Sequence, residues 1–173
     1  MFKVGIIGPE STGKSSLARY LVNRYKGTYV PEYARAYVER LVESRKTKDE
    51  RWQDTITYED VCAIARYQIE EMERLYSIND SGLSSNNEVV FFDTELIVTK
   101  VWFDYAFGRV PEWVNENIHR YPMDVYLLTY PDIPWVPDPT RSNGSDAIRQ
   151  ELFDRYEAEI QALDIPYYII THV

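Results

Sequence analysis

The sequence contains very little cysteine and has no excess of positive charge, and both shortages exclude classes of protein. Cys62 is the only cysteine in 173 residues, so no intrachain disulfide can form, and no Cys/His cluster has the spacing of a zinc site. The formal net charge is -9, and no basic stripe of the kind that binds nucleic-acid backbones occurs. We therefore predict a protein of a reducing cytoplasm without a nucleic-acid partner.

Long hydrophobic runs are also absent. No stretch approaches the ~20 apolar residues that a membrane-spanning helix needs. The apolar run near the N-terminus is interrupted by Gly8 and Pro9, which leaves it too short for a signal peptide. With 45% hydrophobic residues, a chain of this length can bury about 70% of the surface that its unfolded form exposes. We predict a soluble protein without a membrane partner, folded as a single domain over residues 1–173.

Strand-like and helix-like segments alternate along the chain. Short β-branched and apolar runs predict strands at Phe2–Ile7, Thr28–Val30, 88–93, 124–130 and 166–173. Apolar residues at helical spacing predict helices at Gly13–Tyr25, from Glu32 or Tyr33 to about Arg45, from a capping box at Thr57 to a loop at 79–87, at Glu95–Phe107, from Pro111 to 121, and at Ser145–Leu163. This alternation predicts an α/β fold with a parallel sheet, because helical crossovers connect parallel neighbours.

A glycine-bounded loop follows the first predicted strand. Residues 8–15 read "GPESTGKS" and match G-x-x-x-x-G-K-[ST] between a strand and a helix, the context that a phosphate-binding P-loop requires. The loop amides and the helix N-terminus would bind phosphate oxygens, Lys14 would reach the β and γ phosphates, and the Ser15 hydroxyl would bind Mg²⁺. The predicted ATP-binding residues of this segment are Gly8, Glu10, Ser11, Thr12, Gly13, Lys14, Ser15 and Ser16.

Further candidates follow the other strands, because ligands of such sheets bind at the carboxyl ends of the strands. Asp93 closes the apolar run "VVFFD" and is placed to join Ser15 as a magnesium ligand or to act in catalysis. Glu32, Tyr33 and Arg35 follow the second strand, where a carboxylate base and a guanidinium could meet a phosphoryl acceptor. The chain lacks the Asn-Lys-x-Asp run of GTPases, and its size favours a small-molecule kinase.

A proline-rich segment follows the fourth strand. It contains Trp135, Asp138 and Arg141, and Arg149 lies on the next predicted helix. Loops of this length in small domains are commonly lids or disordered excursions, and we predict a lid over residues 131–149. Arg141 and Arg149 would close over the transferring phosphoryl group and stabilise its charge.

These motifs together resemble a known family. The segments "GPESTGKS", "PEYAR", "IARYQ", "FFDTE" followed by Trp102, and "LLTYPDIPWVPDPTR" occur in order over nearly the whole chain, and they are similar to the ribosylnicotinamide kinase domain of NadR-type proteins. The resemblance implies a nucleoside-kinase-like P-loop fold with strand order 2-3-1-4-5. It also implies ATP-dependent phosphorylation of the ribose 5′-hydroxyl of nicotinamide riboside to nicotinamide mononucleotide. The chain has no room for the adenylyltransferase and DNA-binding parts of such proteins, so neither activity is expected.

The resemblance also implies roles for single residues. Asp93 would organise Mg²⁺ and serve as the base toward the acceptor hydroxyl, with Glu32 as the second candidate for that base or as a ribose ligand. The nucleoside would be contacted by Arg35, Gln68 and Trp135, the last by stacking on the cationic pyridinium ring. Tyr33 and Asp138 complete the predicted substrate site.

Two alternative functions remain open from the sequence. One is a P-loop kinase of another nucleoside or small metabolite, which would use the same chemistry with a different pocket. The other is a regulatory module that binds ATP and hydrolyses it slowly or only switches on it. The sequence indicates nothing about the oligomeric state.

Overall fold

Five parallel strands form one sheet in the order β2-β3-β1-β4-β5, which confirms the predicted fold class and strand order. The computed structural model describes residues 1–44, 56–81, 88–136 and 144–171. The strands are β1 Phe2–Ile7, β2 Thr28–Val30, β3 Val89–Asp93, β4 Val125–Thr129 and β5 Tyr167–Ile170. The first two have the predicted bounds, and the last three lie within the predicted ranges.

Six helices surround the sheet within the described residues. They are α1 Lys14–Tyr25, α2 Tyr33–Ser44, α3 Tyr58–Asp80, α4 Leu96–Phe107, α5 Glu112–Arg120 and α6 Asp146–Ala162. In this part of the chain, no helix is long and apolar enough to span a bilayer.

Alternation of side chains along the strands divides the core between the two faces of the sheet. Val4, Ile6 and Phe91 pack with Ala18 of α1 on one face. Ile7 and Phe92 lie on the other face, in a larger core that includes residues of α3, α4 and α6. Both faces of the central strands are therefore covered by apolar side chains, which explains why β1 and β3 read as continuous apolar runs.

Several predicted helix starts are one residue early, because the residue concerned is the N-cap. Glu95 caps α4 through a carboxylate that accepts from Ile97 N at 3.0 Å, and Ser145 caps α6 by accepting from Ile148 N at 3.2 Å. Gly13 and Pro111 hold the same position before α1 and α5 without a side-chain bond. The predicted capping box at Thr57 is present.

One helix end differs from the prediction, and another ends as predicted for a different reason. Helix α3 continues to Asp80, so Asn79 and Asp80 are helical although they were predicted to begin a loop. Helix α1 ends at Tyr25 before Gly27 as predicted, but Lys26 adopts the left-handed conformation, with φ 53°. Gly27 is needed for space instead, since a Cβ there would come within 2.5 Å of Val89 O.

The strand register sets where the functional residues meet. Ile6 of β1 pairs with Asp93 of β3, and Ile7 pairs with Leu128 of β4. Because all strands are parallel, their carboxyl ends share one edge of the sheet. The P-loop consequently leaves β1 between Asp93 on one side and Thr129 on the other.

Candidate active site

The P-loop is shaped by two glycines and two threonines. Gly8 has φ 148° and Gly13 has φ 80°, values that side chains rarely adopt, and a Cβ on Gly8 would overlap Thr129 Oγ1. The Thr12 hydroxyl donates to Pro9 O at 2.8 Å and shares a 2.6 Å hydrogen bond with the Thr129 hydroxyl. The loop is therefore closed around its own backbone and fastened to the end of β4.

Lys14 bridges the loop from inside. Its Nζ donates to Pro9 O at 2.6 Å, so the ammonium lies over the loop. The loop borders a cleft of about 850 Å³, a volume in the range of small-molecule sites. Every predicted residue of the loop lines this cleft, namely Gly8, Glu10, Ser11, Thr12, Gly13, Lys14, Ser15 and Ser16.

Asp93 lies on the floor of the same cleft and is 1% exposed. Its Oδ2 accepts from the Tyr29 hydroxyl at 2.8 Å, while Oδ1 has no hydrogen-bond partner among the described residues. A buried carboxylate oxygen without a partner fits a cation or a donated proton. Burial and the neighbouring Asp93 raise the pKa of Tyr29 to about 12, so Tyr29 keeps its proton and remains a donor.

Glu32 lines the same cleft as Lys14 of the P-loop and Asp93 at the end of β3. Burial raises the pKa of its carboxyl above the ordinary value, and the nearby Lys14 ammonium opposes that rise. Asp93 raises it further, whereas the Arg35 guanidinium lowers it. Two carboxylates, one ammonium and one guanidinium thus act on each other across the cleft.

The described side chains at the cleft offer few ligands for a metal ion. Within the described ranges, no three His, Cys, Asp or Glu side chains cluster closely enough to hold one by themselves. Ser15 and Asp93 both line the cleft, and the unpartnered Oδ1 of Asp93 gives Mg²⁺ one protein ligand of the preferred oxygen type. The donor set therefore suits a cation that also binds phosphate oxygens.

The predicted nucleoside contacts are divided between two cavities. Arg35 lines the main cleft, where its Nε pairs with Glu39 Oε1 at 3.3 Å. Tyr33 and Gln68 line a smaller neighbouring cavity, which shares Pro31 and Thr94 with the cleft. The structure thus places Tyr33 and Gln68 beside the main cleft and not in its wall.

Side chains near the smaller cavity are already engaged with each other. The Tyr33 ring stacks on that of Tyr67 with centroids 3.5 Å apart. The Gln68 Oε1 accepts from the Thr99 hydroxyl at 2.7 Å, and Thr99 does line the cleft. Gln68 can therefore influence the main cleft through Thr99.

The Trp135 ring lies outside the cleft wall. It packs so closely on Gly144 that a Cβ there would come within 2.7 Å of the ring, and the indole does not line the cleft. Next to it, Val136 N donates to Ser11 Oγ at 3.0 Å, so the start of the predicted lid rests on the P-loop. Asp138 and Arg141 lie outside the described residues, and 146–149 of the predicted lid form the first turn of α6.

Arg149 lies behind the P-loop, a position that differs from the predicted one over the phosphoryl group. It is 1% exposed and does not line the cleft. Its Nε donates to Glu10 O at 3.2 Å, and its Nη2 donates to Ser11 O at 3.3 Å and to Ile133 O at 2.8 Å. The guanidinium thus ties the loop to the segment after β4, because α6 directs it toward backbone carbonyls.

Arg149→Ala should consequently destabilise the fold by about 2 to 4 kcal/mol, since a buried guanidinium is removed and three partly buried carbonyls lose their donor. Urea unfolding would measure the change, with Arg155→Ala as the matched control on the exposed side of the same helix. An unchanged unfolding midpoint together with a large loss of turnover would contradict this role and would favour direct contact with the nucleotide.

Glu95 is a buried group that the sequence analysis did not single out. It is 4% exposed, and burial raises the pKa of its carboxyl to about 8 despite the hydrogen bonds from the backbone of α4. The preceding Thr94 has φ 70°, which is unusual for a β-branched residue. The sequence signal for this group was an acidic residue directly before an apolar helix. The tight turn from β3 into α4 explains why that residue is buried.

Comparison with known proteins agrees with this geometry. A family model described as an AAA domain matches residues 3–173. The chain belongs to the AAA domain family.

This AAA domain is also 32% identical, over 148 residues, to the trifunctional NAD biosynthesis/regulator protein NadR of Escherichia coli (strain K12), and the match covers 86% of this chain and 33% of the relative. NadR of Salmonella typhimurium is 32% identical over 147 residues, or 85% of this chain and 32% of that protein. The AAA domain therefore spans about a third of the length of these curated relatives.

Solved structures show the same fold. A NadR protein in complex with NR superposes on this AAA domain with a TM-score of 0.66 and 25% identity, over 97% of this chain and 43% of that one. Thymidylate kinase from Ehrlichia chaffeensis superposes with a TM-score of 0.59 and 12% identity, over 98% of this chain and 86% of that one. The second likeness, at 12% identity, shows the fold alone.

Proposed function

We propose that this chain is an ATP-dependent kinase that phosphorylates the ribose 5′-hydroxyl of nicotinamide riboside, giving nicotinamide mononucleotide for NAD salvage. The observation that carries the proposal is a cleft of about 850 Å³ lined by every P-loop residue except Pro9 and by Asp93 and Glu32. The likeness to NadR proteins, one of them solved with NR, supports nicotinamide riboside as the acceptor. Kinases that act on other nucleosides share the fold, so the acceptor is the part that needs testing.

Lys14 is placed to bind the phosphates of ATP. Its Nζ contacts Pro9 O at 2.6 Å and would pair with the β and γ phosphate oxygens held by the loop. The loop amides and the N-terminus of α1 face the same phosphates. We propose Mg²⁺ as the cation, held by Ser15 and Asp93, where it would neutralise charge on the transferring group. The loop residues thus position the γ-phosphorus without any covalent step.

The transfer itself needs one proton acceptor. As the 5′-oxygen of the riboside bonds to the γ-phosphorus, the bond from that phosphorus to the leaving ADP oxygen breaks, and the hydroxyl proton passes to a carboxylate. Asp93 and Glu32 both line the cleft and either can accept that proton. Arg35 lines it as well, where a guanidinium can bind ribose hydroxyls or phosphate oxygens.

The remaining proposals concern the surroundings of this reaction. We propose a cytoplasmic enzyme with a nucleoside as its small-molecule partner and with neither nucleic acid nor membrane as a partner. The single cysteine and the net charge of -9 support this. A single domain over 1–173 and a lid over 131–149, including Asp138 and Arg141, also remain proposals.

Purified protein offered a panel of nucleosides with Mg-ATP should convert nicotinamide riboside to a product heavier by one phosphoryl group, detected by mass spectrometry. Uridine, cytidine and deoxyadenosine are the competing acceptors. Product from one of these and none from nicotinamide riboside would overturn the proposed substrate and leave the kinase class intact. Tight ATP binding without product from any acceptor would instead favour the regulatory module.

A further inference from the structure

One face of α4 forms a wall of the main cleft. Val98, Thr99, Trp102, Tyr105 and Ala106 line it, as expected for residues three and four positions apart on a helix. The helix that forms this wall starts close to Asp93 in the chain, because only Thr94 and Glu95 lie between Asp93 and the first residue of α4. At 1.5 Å per residue, Trp102 lies about 9 Å along the axis from Leu96. Trp102 therefore lines the cleft about two helical turns beyond the start of α4.

Most other aromatic rings of the cleft are engaged. Phe107 packs edge-on against Tyr58 at 5.5 Å, the Arg155 guanidinium lies 5.4 Å from the centre of the Tyr105 ring, and the Tyr29 hydroxyl is bound to Asp93. Tyr156 is 6% exposed. A ring buried or paired in this way has little free face to offer a ligand.

Trp102 is the exception in this wall. Its side chain is partly exposed and packs in part on the larger core, and no aromatic pair or cation–π contact found among the described residues includes its ring. Helix α2 contributes the small apolar side chains of Ala34 and Val38 to the same cleft, together with Glu32 before the helix. An indole face that borders an open, partly anionic cleft suits a planar cation, since its π system attracts positive charge.

We propose that Trp102 is the platform on which the base of the acceptor nucleoside stacks, and that it determines the preference for a planar aromatic base, with a cationic one bound most tightly. This inference rests on the proposed kinase function. It assigns to Trp102 the stacking role that the family resemblance gives to Trp135, whose ring packs on Gly144 outside the cleft wall. Trp102 is in this sense a specificity-determining residue that takes no part in proton or phosphoryl transfer.

Steady-state kinetics separates this role from a structural one. Trp102→Leu should raise the KM for nicotinamide riboside about tenfold, with the KM for ATP unchanged, because a stacking contact of this kind is lost only by the acceptor. Trp102→Phe should restore part of the affinity. Trp113→Leu, which replaces a tryptophan of α5 that does not line the cleft, is the matched control and should leave the KM for the nucleoside within about twofold. The neutral dihydro form of nicotinamide riboside should lose less from Trp102→Leu than the cationic form does.

Tryptophan fluorescence gives a second, activity-independent measurement. Titration with nicotinamide riboside should quench emission of the parent protein and of Trp135→Phe, and the quenching should be largely lost in Trp102→Phe. Quenching lost in Trp135→Phe and kept in Trp102→Phe would overturn the assignment, as would an unchanged KM in both Trp102 variants. If Trp102→Leu does not fold, Trp102→Phe alone decides.

Failure of the proposed substrate is a distinct result. If the panel identifies another nucleoside as the acceptor, the same variants are measured with that nucleoside. A raised KM for it in Trp102→Leu then supports the stacking platform while nicotinamide riboside is rejected. If no nucleoside is phosphorylated and none quenches the parent protein, both proposals fail together.

Discussion

Lys14→Ala is expected to reduce phosphoryl transfer by about 10²- to 10³-fold, because the ammonium that meets the charge of the transferring group is removed. The fold should survive, since Lys14 is the first residue of α1 and alanine favours helix. Product formation under saturating Mg-ATP and nucleoside measures the effect, and the thermal unfolding midpoint monitors folding.

Arg24→Ala is the matched control, because it removes an exposed cation from the last turn of the same helix. It should leave turnover within about twofold, as expected for a surface charge far from the chemistry. Lys14→Ala protein that folds and still turns over within tenfold of the parent would reject the proposed role of the P-loop.

Exchange of the two cleft carboxylates for amides should identify the base, with losses of about 10²- to 10⁴-fold in kcat for the residue that accepts the proton. Asp93 has the unpartnered buried oxygen that suits a magnesium ligand, and a carboxylate bound to a cation is a weak base. We therefore expect Asp93→Asn to raise the Mg²⁺ concentration needed for half-maximal rate, and Glu32→Gln to lower kcat without that change.

The pH dependence of the rate shows which of the two carboxylates is the base. Burial raises the pKa of Glu32 above its ordinary value, so this carboxyl holds its proton to a higher pH and is inactive as a base below its pKa. The rate should fall as the pH decreases through that raised pKa, above the ordinary value of 4.5. The acidic limb should disappear in Glu32→Gln. A limb that persists there and disappears in Asp93→Asn would make Asp93 the base.

Local rules were enough to predict the loop and the ends of the strands. The P-loop is a contiguous motif whose glycines, helix start and lysine are read from neighbouring letters, and Asp93 is marked by the apolar run that it closes. These features depend on backbone geometry within a few residues. The resemblance supplied the strand order, which periodicity alone does not specify.

Side-chain direction was the part that the sequence did not specify. Arg149 was predicted to face the phosphoryl group, yet the packing of α6 directs it to carbonyls behind the loop. Helix α4 has buried residues such as Leu96, Val101 and Phe103 on several sides, so no clean polar face distinguishes Trp102 from its neighbours. Which tryptophan borders the cleft therefore depends on tertiary packing.

The strand register has a consequence for folding. The pairs Ile6 with Asp93 and Ile7 with Leu128 bring together segments far apart in the chain, so long loops must close before these contacts stabilise anything. Until the three central strands assemble, the P-loop lacks both Asp93 on one side and Thr129 on the other. A ligand that binds only the native state raises its stability by about 2.7 kcal/mol at a hundred times its Kd. Affinity for nucleotide therefore measures assembly of the three central strands, although the motif itself occupies only residues 8–15.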